Sequence, residues 1–134
     1  MLDTLLITTD FKMTYNTNND SLVLIVDDNY KNIQLLGNVL RGENLDIAVA
    51  TNGIQALQIT KEVLPNLILL DIMIPDMDGY QVCQLLKEDP KTAEIPIIFL
   101  TAKTEAEDII KGLTLGAVDY ITKPFNNQEL LIRV

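Results

Sequence analysis

The chain contains no histidine and only one cysteine, Cys83. Histidine is the commonest acid–base catalyst and metal ligand, so catalysis here would have to rest on Asp, Glu, Lys, Thr or Tyr. A single cysteine excludes an internal disulfide and fits a reducing cytosol. We expect Cys83 to contribute to packing and not to redox chemistry.

Basic residues and long apolar runs are also scarce. The chain has 10 Lys and Arg against 19 Asp and Glu, a net charge of −9. This balance argues against direct nucleic-acid binding and against docking on an anionic membrane surface. No apolar run approaches the length of a membrane span. The N-terminus also lacks the basic region of a secretory signal, so we expect a cytoplasmic protein.

The composition that is present indicates one folded domain. A chain of 134 residues with 48% hydrophobic residues can bury a single core. Residues 1–20 are predicted to be a leader or linker, because their last residues are polar and turn-prone. The domain is expected to cover residues 21–134. Its last helix stops inside an apolar stripe at Val134, which favours a longer parent chain over a short final helix.

Short apolar runs alternate with helical patterns along this domain. The strongest runs are 22–26, 67–70 and 97–100, and weaker ones occur at 46–50 and 118–121. Regular alternation predicts a parallel sheet with helices on both faces. The weaker second and fifth strands suit the edges. We therefore predict a doubly wound, flavodoxin-like α/β fold with a five-stranded sheet of order 2-1-3-4-5.

Polar residues follow four of these runs. Asp27 and Asp28 follow the first, Asp71 the third, Thr101 the fourth, and Lys123 comes shortly after the fifth. Because parallel strands end at one edge of a sheet, we expect these groups to converge there. Three crowded carboxylates need a cation or raised pKa values, and Mg²⁺ prefers such oxygen ligands. Taken singly, each aspartate could instead be a helix cap or a solvated loop residue, and either Asp28 or Asn29 can cap the helix that follows the first run.

Together these residues resemble the receiver domain of bacterial two-component response regulators, the CheY-like superfamily. The resemblance covers about residues 22–134 and includes the loop 75–79, Thr101-Ala102 and Lys123-Pro124-Phe125. It implies a phosphorelay module in which Asp71 accepts a phosphoryl group from the phosphohistidine of a sensor histidine kinase or phosphotransfer protein. Such a module is not a metabolic enzyme and catalyses only its own phosphorylation and slow dephosphorylation.

The resemblance also implies a role for each residue of the site. Asp28, Asp71 and the backbone carbonyl of Met73 would bind Mg²⁺, or Mn²⁺, while Asp27 would act through water. Lys123 would supply a positive charge to the phosphoryl oxygens.

Thr101 and Tyr120 are implied as a switch, in which the hydroxyl moves toward phosphate and the aromatic ring fills the vacated space. The alternative is that Tyr120 is an edge-strand aromatic half covered by a helix. Met73 and Lys103 occupy the positions that tune hydrolysis of the aspartyl phosphate. Neither side chain offers a carboxylate or amide to orient water, so we expect slow self-dephosphorylation.

Receivers signal through the fourth helix, fifth strand and fifth helix. Asp119 and Arg133 match positions used for dimer salt bridges in the transcription-factor-linked subgroup, whereas Val118 and Ile109-Ile110 depart from that pattern. A homodimer through this surface therefore stays open. An output domain in the same parent chain, and the choice between a response regulator and a hybrid kinase, stay open as well.

Three other functions compete with this interpretation. A Mg²⁺-dependent phosphatase with an Asp nucleophile would need a second acid where Met73 stands. A pseudo-receiver binding module would usually lack one of the acids or the lysine, and this chain has them all. A flavodoxin-like nucleotide binder would want a Gly-rich or Ser/Thr-rich phosphate loop, where Asp27-Asp28-Asn29 would repel phosphate.

Overall fold

The computed structural model describes residues 21–43, 45–101, 110–111, 113–117 and 119–122. Within them, five parallel strands form one sheet of order β2-β1-β3-β4-β5, as predicted. The elements in chain order are β1 Leu22–Val26, α1 Tyr30–Arg41, β2 Asp46–Ala50, α2 Gly53–Val63, β3 Leu67–Asp71, α3 Gly79–Glu88, β4 Ile97–Thr101 and β5 Asp119–Thr122. Residues 110, 111, 113 and 114 are helical as well.

The strands are buried on both faces because helices cover the sheet on each side. Alternate side chains of a strand point to opposite faces, so the apolar runs supply two cores. On one face Val23, Ile25, Leu69, Ile98 and Leu100 pack with the α1 residues Ile33, Leu36 and Leu40. On the other face Leu24, Val26, Ile68, Leu70 and Phe99 pack with α2 and α3, through Ala56, Val82, Cys83 and Leu86.

The edge strands are the two that the sequence identifies as least apolar. β2 pairs only with β1, and β5 only with β4, within the described sheet. All five residues of β2 are nevertheless buried, and Asp46 is only 2% exposed. Asp46 therefore distinguishes the edge strand β2 from the more apolar central strands, although its side chain is excluded from water.

Each described helix has a polar N-cap residue. Asn29, Asn52 and Asp78 accept hydrogen bonds from backbone N–H groups in the first turns of α1, α2 and α3, respectively. The sequence leaves Asp28 and Asn29 as alternative caps for α1, and the structure assigns the cap to Asn29. These caps satisfy donors that would otherwise have no partner. α1 and α2 start within a few residues of a strand end, whereas α3 follows the longer loop 72–78.

Several predicted features lie outside the described residues. They are the leader 1–20, Lys103, Val118, Lys123, Arg133 and the final helix ending at Val134. Among the described residues, no helix combines the length and the apolar character needed to cross a bilayer.

Candidate functional site

The carboxyl ends of the central strands lie side by side. Val26 of β1 pairs with Leu70 of β3, and Asp71 pairs with Leu100 of β4. The strands therefore end at nearly the same level, and the residues that follow them meet at one edge of the sheet. In open α/β sheets this edge is where ligands bind.

Asp27, Asp28 and Asp71 come together at this edge, as predicted. One carboxylate oxygen from each lies within 4.8 Å of the others. Asp27 and Asp71 are buried, at 0% and 3% exposure, whereas Asp28 is exposed. Two unit charges at such a separation repel by roughly 3.5 kcal/mol at an effective dielectric of about 20. A bound cation would remove this repulsion, and the exposed Asp28 leaves the cluster open to solvent on one side.

The Asp27 carboxylate is held by the start of α1. Its Oδ1 accepts a hydrogen bond from the Asn29 backbone N–H at 2.9 Å, and its Oδ2 accepts one from Asn32 Nδ2 at 3.1 Å. Both oxygens are thereby oriented by neutral donors. From the sequence, Asn29 was predicted only as a helix cap, and the contact of Asn32 with Asp27 was missed. That contact could have been inferred from the amide side chain in the first turn of the helix that follows the acidic pair.

Asp71 is the last residue of β3, and the loop 72–78 connects it to α3. Its Oδ1 accepts a hydrogen bond from the Met73 backbone N–H at 3.2 Å. At the far end of the loop, the Gly79 N–H donates to the Ile72 carbonyl at 2.8 Å. A Cβ at Gly79 would collide with the Asp71 carbonyl and the Ile72 backbone. Glycine is therefore required for the chain to pass this close behind the site.

Thr101 lies at the same edge, at the end of β4, and is 4% exposed. It pairs with Thr122 at the end of β5, the residue that precedes Lys123. Tyr120 is half buried on β5, where it pairs with Phe99. Met73 stands beside Asp71 with its side chain 68% exposed. Lys123 and Lys103, the two predicted cations, lie outside the described residues.

The described donor set suits a hard divalent cation. The three clustered side chains are all carboxylates, and no described histidine or cysteine joins them. Oxygen-only sites of this kind fit Mg²⁺ or Mn²⁺ better than Zn²⁺ or Cu²⁺, which favour nitrogen and sulfur ligands. Residues Asp27, Asp28 and Asp71 therefore fit the metal that the sequence predicts.

Comparison with known proteins identifies similar domains in several settings. The DNA-binding response regulator MtrA of Mycobacterium tuberculosis is 47% identical over 112 residues, which cover 84% of this chain and 48% of MtrA. The chain thus spans about half the length of that relative. Chemotaxis response regulator CheY4 of Vibrio cholerae has a TM-score of 0.81 at 27% identity, covering 86% of this chain and 96% of CheY4.

A third similar protein is the signal receiver domain of a signal transduction histidine kinase from Syntrophus aciditrophicus. It is 33% identical with a TM-score of 0.77, covering 84% of this chain and 86% of that chain. The family model described as "Response regulator receiver domain" matches residues 23–134, which contain the acidic site and all strand residues except Leu22. The chain therefore belongs to the response regulator receiver domain family of two-component signalling.

Proposed function

We propose that this receiver domain takes a phosphoryl group onto Asp71 from the phosphohistidine of a sensor histidine kinase or of a phosphotransfer protein. The observation that carries the proposal is the convergence of Asp27, Asp28 and Asp71 within 4.8 Å at the carboxyl edge of the sheet. Aspartates that served only as helix caps would not cluster in this way, because each would lie at the start of a different helix. The proposed setting is the cytoplasm, where ATP supplies the kinase.

Metal binding in this site is assigned to Asp28, Asp71 and the backbone carbonyl of Met73. When bound, Mg²⁺ or Mn²⁺ would neutralise the carboxylates and the incoming phosphoryl oxygens. Asp27 acts through water in this proposal. That role is supported by its two hydrogen bonds, from the Asn29 backbone N–H and from Asn32 Nδ2, which already orient both oxygens.

The proposed reaction is a phosphoryl transfer between an imidazole and a carboxylate. An Asp71 oxygen attacks phosphorus, an O–P bond forms, and the P–N bond of the donor breaks. The electron pair of that bond stays on the imidazole nitrogen, which takes up a proton from solvent. The Asp71 carboxylate is kept in a fixed orientation by the Met73 N–H at its Oδ1. Lys123 and the Thr101 hydroxyl would stabilise the transferred oxygens.

Activation would be communicated by Thr101 and Tyr120. Thr101 is nearly fully buried at the edge where the phosphoryl group would arrive. Tyr120 is half buried two strand residues before Thr122, the pairing partner of Thr101. A half-buried aromatic side chain with a polar tip can take up an inward or an outward position, which supports its proposed role in the switch.

The output surface is assigned to the fourth helix, β5 and the fifth helix. Ile110 and Leu113, in the helical segment before β5, are 60% and 43% exposed. Exposed apolar side chains close together on one segment favour a partner surface over bare solvent. This supports a homodimer formed on activation, with Asp119 and Arg133 as candidate ionic contacts.

An output domain in the same parent chain is part of the proposal, because the chain matches about half of MtrA.

Dephosphorylation is proposed to be slow. The Met73 side chain is 68% exposed beside Asp71 and has no group that could position or deprotonate an attacking water. Lys103 is the second proposed determinant of this rate. The same feature disfavours the phosphatase alternative, which requires an acid at position 73 for turnover of phosphate esters.

Intact mass measurement tests the proposed function. We would incubate the full chain with Mg²⁺ and a small phosphodonor, acetyl phosphate or phosphoramidate, and weigh it. The gain should be one phosphoryl group in the wild type and none in Asp71→Asn. Asp89→Asn serves as the matched control, because it removes one half-buried carboxylate at the other end of α3 and should leave the gain unchanged. A wild-type protein that stays unmodified would support the pseudo-receiver alternative.

A further inference from the structure

The loop 72–78 is anchored to the rest of the molecule at its base and at its tip. The base is closed by the hydrogen bond from Gly79 N–H to the Ile72 carbonyl, 2.8 Å. The tip is attached to the start of α2 through Asp76, whose Oδ1 accepts from the Gly53 N–H at 2.9 Å. Its Oδ2 accepts from the Ile54 N–H at 3.3 Å. The tip contact joins residues 22 and 23 positions apart in the sequence.

Asp76 also has an unusual backbone conformation. Its φ of 67° lies in the left-handed region, which is unfavourable for residues other than glycine and is best tolerated by Asn and Asp. The same carboxylate bonds the adjacent Met77 N–H at 2.6 Å. Three backbone donors on one side chain offset the unfavourable φ, so the side-chain contacts and the loop conformation support each other.

The contact also completes the N-terminus of α2. The N-cap Asn52 accepts from the Gln55 N–H at 2.8 Å and leaves the first two N–H groups of the helix without a partner of their own turn. Asp76 supplies those two acceptors from a distant segment, and its negative charge lies at the positive end of the helix dipole. The loop and α2 are thus joined by a charged cap.

Gly53 makes this close approach feasible. A Cβ at that position would collide with the Met77 side chain and would lie 2.8 Å from Asp76 Oδ1. The Pro75 carbonyl also accepts from the Gly53 N–H, at 3.4 Å. Glycine therefore allows three consecutive residues of the loop tip to rest directly on the helix start.

We infer that Asp76 is a positioning residue for the metal site: it holds the loop tip on α2 so that Met73 presents its backbone carbonyl toward Asp28 and Asp71. Met73 stands between the base and tip anchors, and its N–H bonds Asp71 Oδ1. A loop fixed at both ends keeps that carbonyl in place before the cation arrives, so less order has to be created on binding. This inference rests on the proposed function.

A Mg²⁺ titration of the full chain followed by ¹⁵N NMR tests the inference. The change is Asp76→Gly, which removes the carboxylate but relieves the left-handed backbone. Amide signals of Asp28, Asp71 and Met73 should move with Mg²⁺ in both proteins, with affinity about tenfold weaker in the variant, as when a residue that orients a metal ligand is lost. The phosphorylation rate of the variant should return to the wild-type value at saturating Mg²⁺.

Two further variants separate positioning from stability and from net charge. Asp76→Asn keeps one acceptor and tolerates left-handed φ, so its Mg²⁺ affinity should fall between the wild type and Asp76→Gly. Asp89→Asn, which changes the charge equally at the other end of α3, should keep the wild-type affinity. If Asp76→Gly does not fold, the inference is tested with Asp76→Asn alone. Its Mg²⁺ affinity must then be weaker than that of Asp89→Asn.

The outcomes are distinct. Equal Mg²⁺ affinity in the wild type and the Asp76 variants, with only the melting temperature lowered, would overturn the positioning role and leave the proposed function intact. If Mg²⁺ does not shift the amide signals of Asp28, Asp71 and Met73 in the wild type, the proposed metal site and the inference are both overturned. Weaker affinity with an unchanged maximal rate supports the inference.

Discussion

At the scale of single residues, the site depends on neutral groups that orient charged ones. The Asp27 carboxylate takes one donor from the backbone of Asn29 and one from the side chain of Asn32. Neither of these two donors carries a charge, and together they fix the orientation of the Asp27 carboxylate. Mutation of partners of this kind typically weakens metal affinity about 10- to 100-fold.

Asn32→Ala is expected to weaken Mg²⁺ binding by about tenfold, because Asp27 Oδ2 loses the side chain that orients it. Isothermal titration calorimetry with MgCl₂ would measure this affinity. Asn38→Ala, an exposed asparagine of the same helix, is the control and should bind Mg²⁺ as the wild type does. Equal affinities for the two variants would show that Asn32 has no part in the site.

Cys83 illustrates how burial changes a reactive group. Its side chain is fully buried in α3, and its Sγ donates toward the Leu115 carbonyl at 3.6 Å. Desolvation raises the pKa of the thiol, and the nearby positive charge of Lys87 offsets part of that rise. The thiol therefore stays protonated in the folded protein at pH values where an unfolded chain would form thiolate.

Reaction with a disulfide reagent should report this burial. Native protein at pH 8 should react at the rate of unfolding, and protein in urea should react at once. Because the folded pKa lies above the unfolded one, the free energy of unfolding should decrease as pH rises beyond the unfolded thiol pKa of about 8.5. Cys83→Ser should lose that alkaline dependence. Fast labelling of the native thiol would contradict the buried position.

At the scale of elements, a helix buries the centre of its apolar stripe and leaves the margin of that stripe partly exposed. In α3, Val82 and Leu86 are buried, whereas Leu85 is 44% exposed. Lys111, in the helical segment before β5, contacts α3: its Nζ lies 4.4 Å from the centroid of the Tyr80 ring. This cation–π contact joins the proposed output surface to the helix behind the site.

Two glycines in helices should respond oppositely to alanine. Gly79→Ala places a Cβ against the Asp71 carbonyl and should lower the free energy of unfolding by about 2 kcal/mol. At Gly37 of α1, the added Cβ would make only ordinary contact, 3.8 Å from Ile47 Cδ1. Gly37→Ala should therefore raise the free energy of unfolding by about 0.5–1 kcal/mol, through helix propensity. Urea denaturation would measure both, and the same sign for both would contradict the packing described at Gly79.

At the scale of the whole molecule, the parallel sheet brings together residues that are far apart in the sequence. Asp28 and Asp71 belong to different strand ends, and only the register of β1 against β3 brings them together. β5, which belongs to the proposed output surface, lies in the same sheet as the strands that carry the site. In the proposed function, this sheet connects a local change at Asp71 to a distant partner.

Self-association on activation tests that connection. Ile110→Asp should leave the monomer folded, because the side chain is 60% exposed, and should abolish any dimer formed with Mg²⁺ and phosphoramidate. Light scattering after size exclusion would measure the mass. Leu35→Asp, at 42% exposure on α1, is the matched control and should dimerise normally. A dimer that survives Ile110→Asp would place the interface elsewhere.

The sequence by itself determined the strand order and the residues of the acidic cluster. Each strand is a local apolar run, and each site residue directly follows one, so sheet geometry alone brings Asp27, Asp28 and Asp71 to one edge. The choice between Asp28 and Asn29 as the cap of α1 was left open, because both residues can cap and only the backbone geometry distinguishes them.

Only the tertiary structure decided how the cluster is held. Asn32 reaches Asp27 through the pitch of α1, and Asp76 reaches Gly53 and Ile54 from another loop. Local patterns do not encode the Asp76 contact, because it depends on how a loop docks on a helix 22 and 23 positions away in the sequence. The left-handed φ of Asp76 is likewise favourable only once those distant N–H groups are in place.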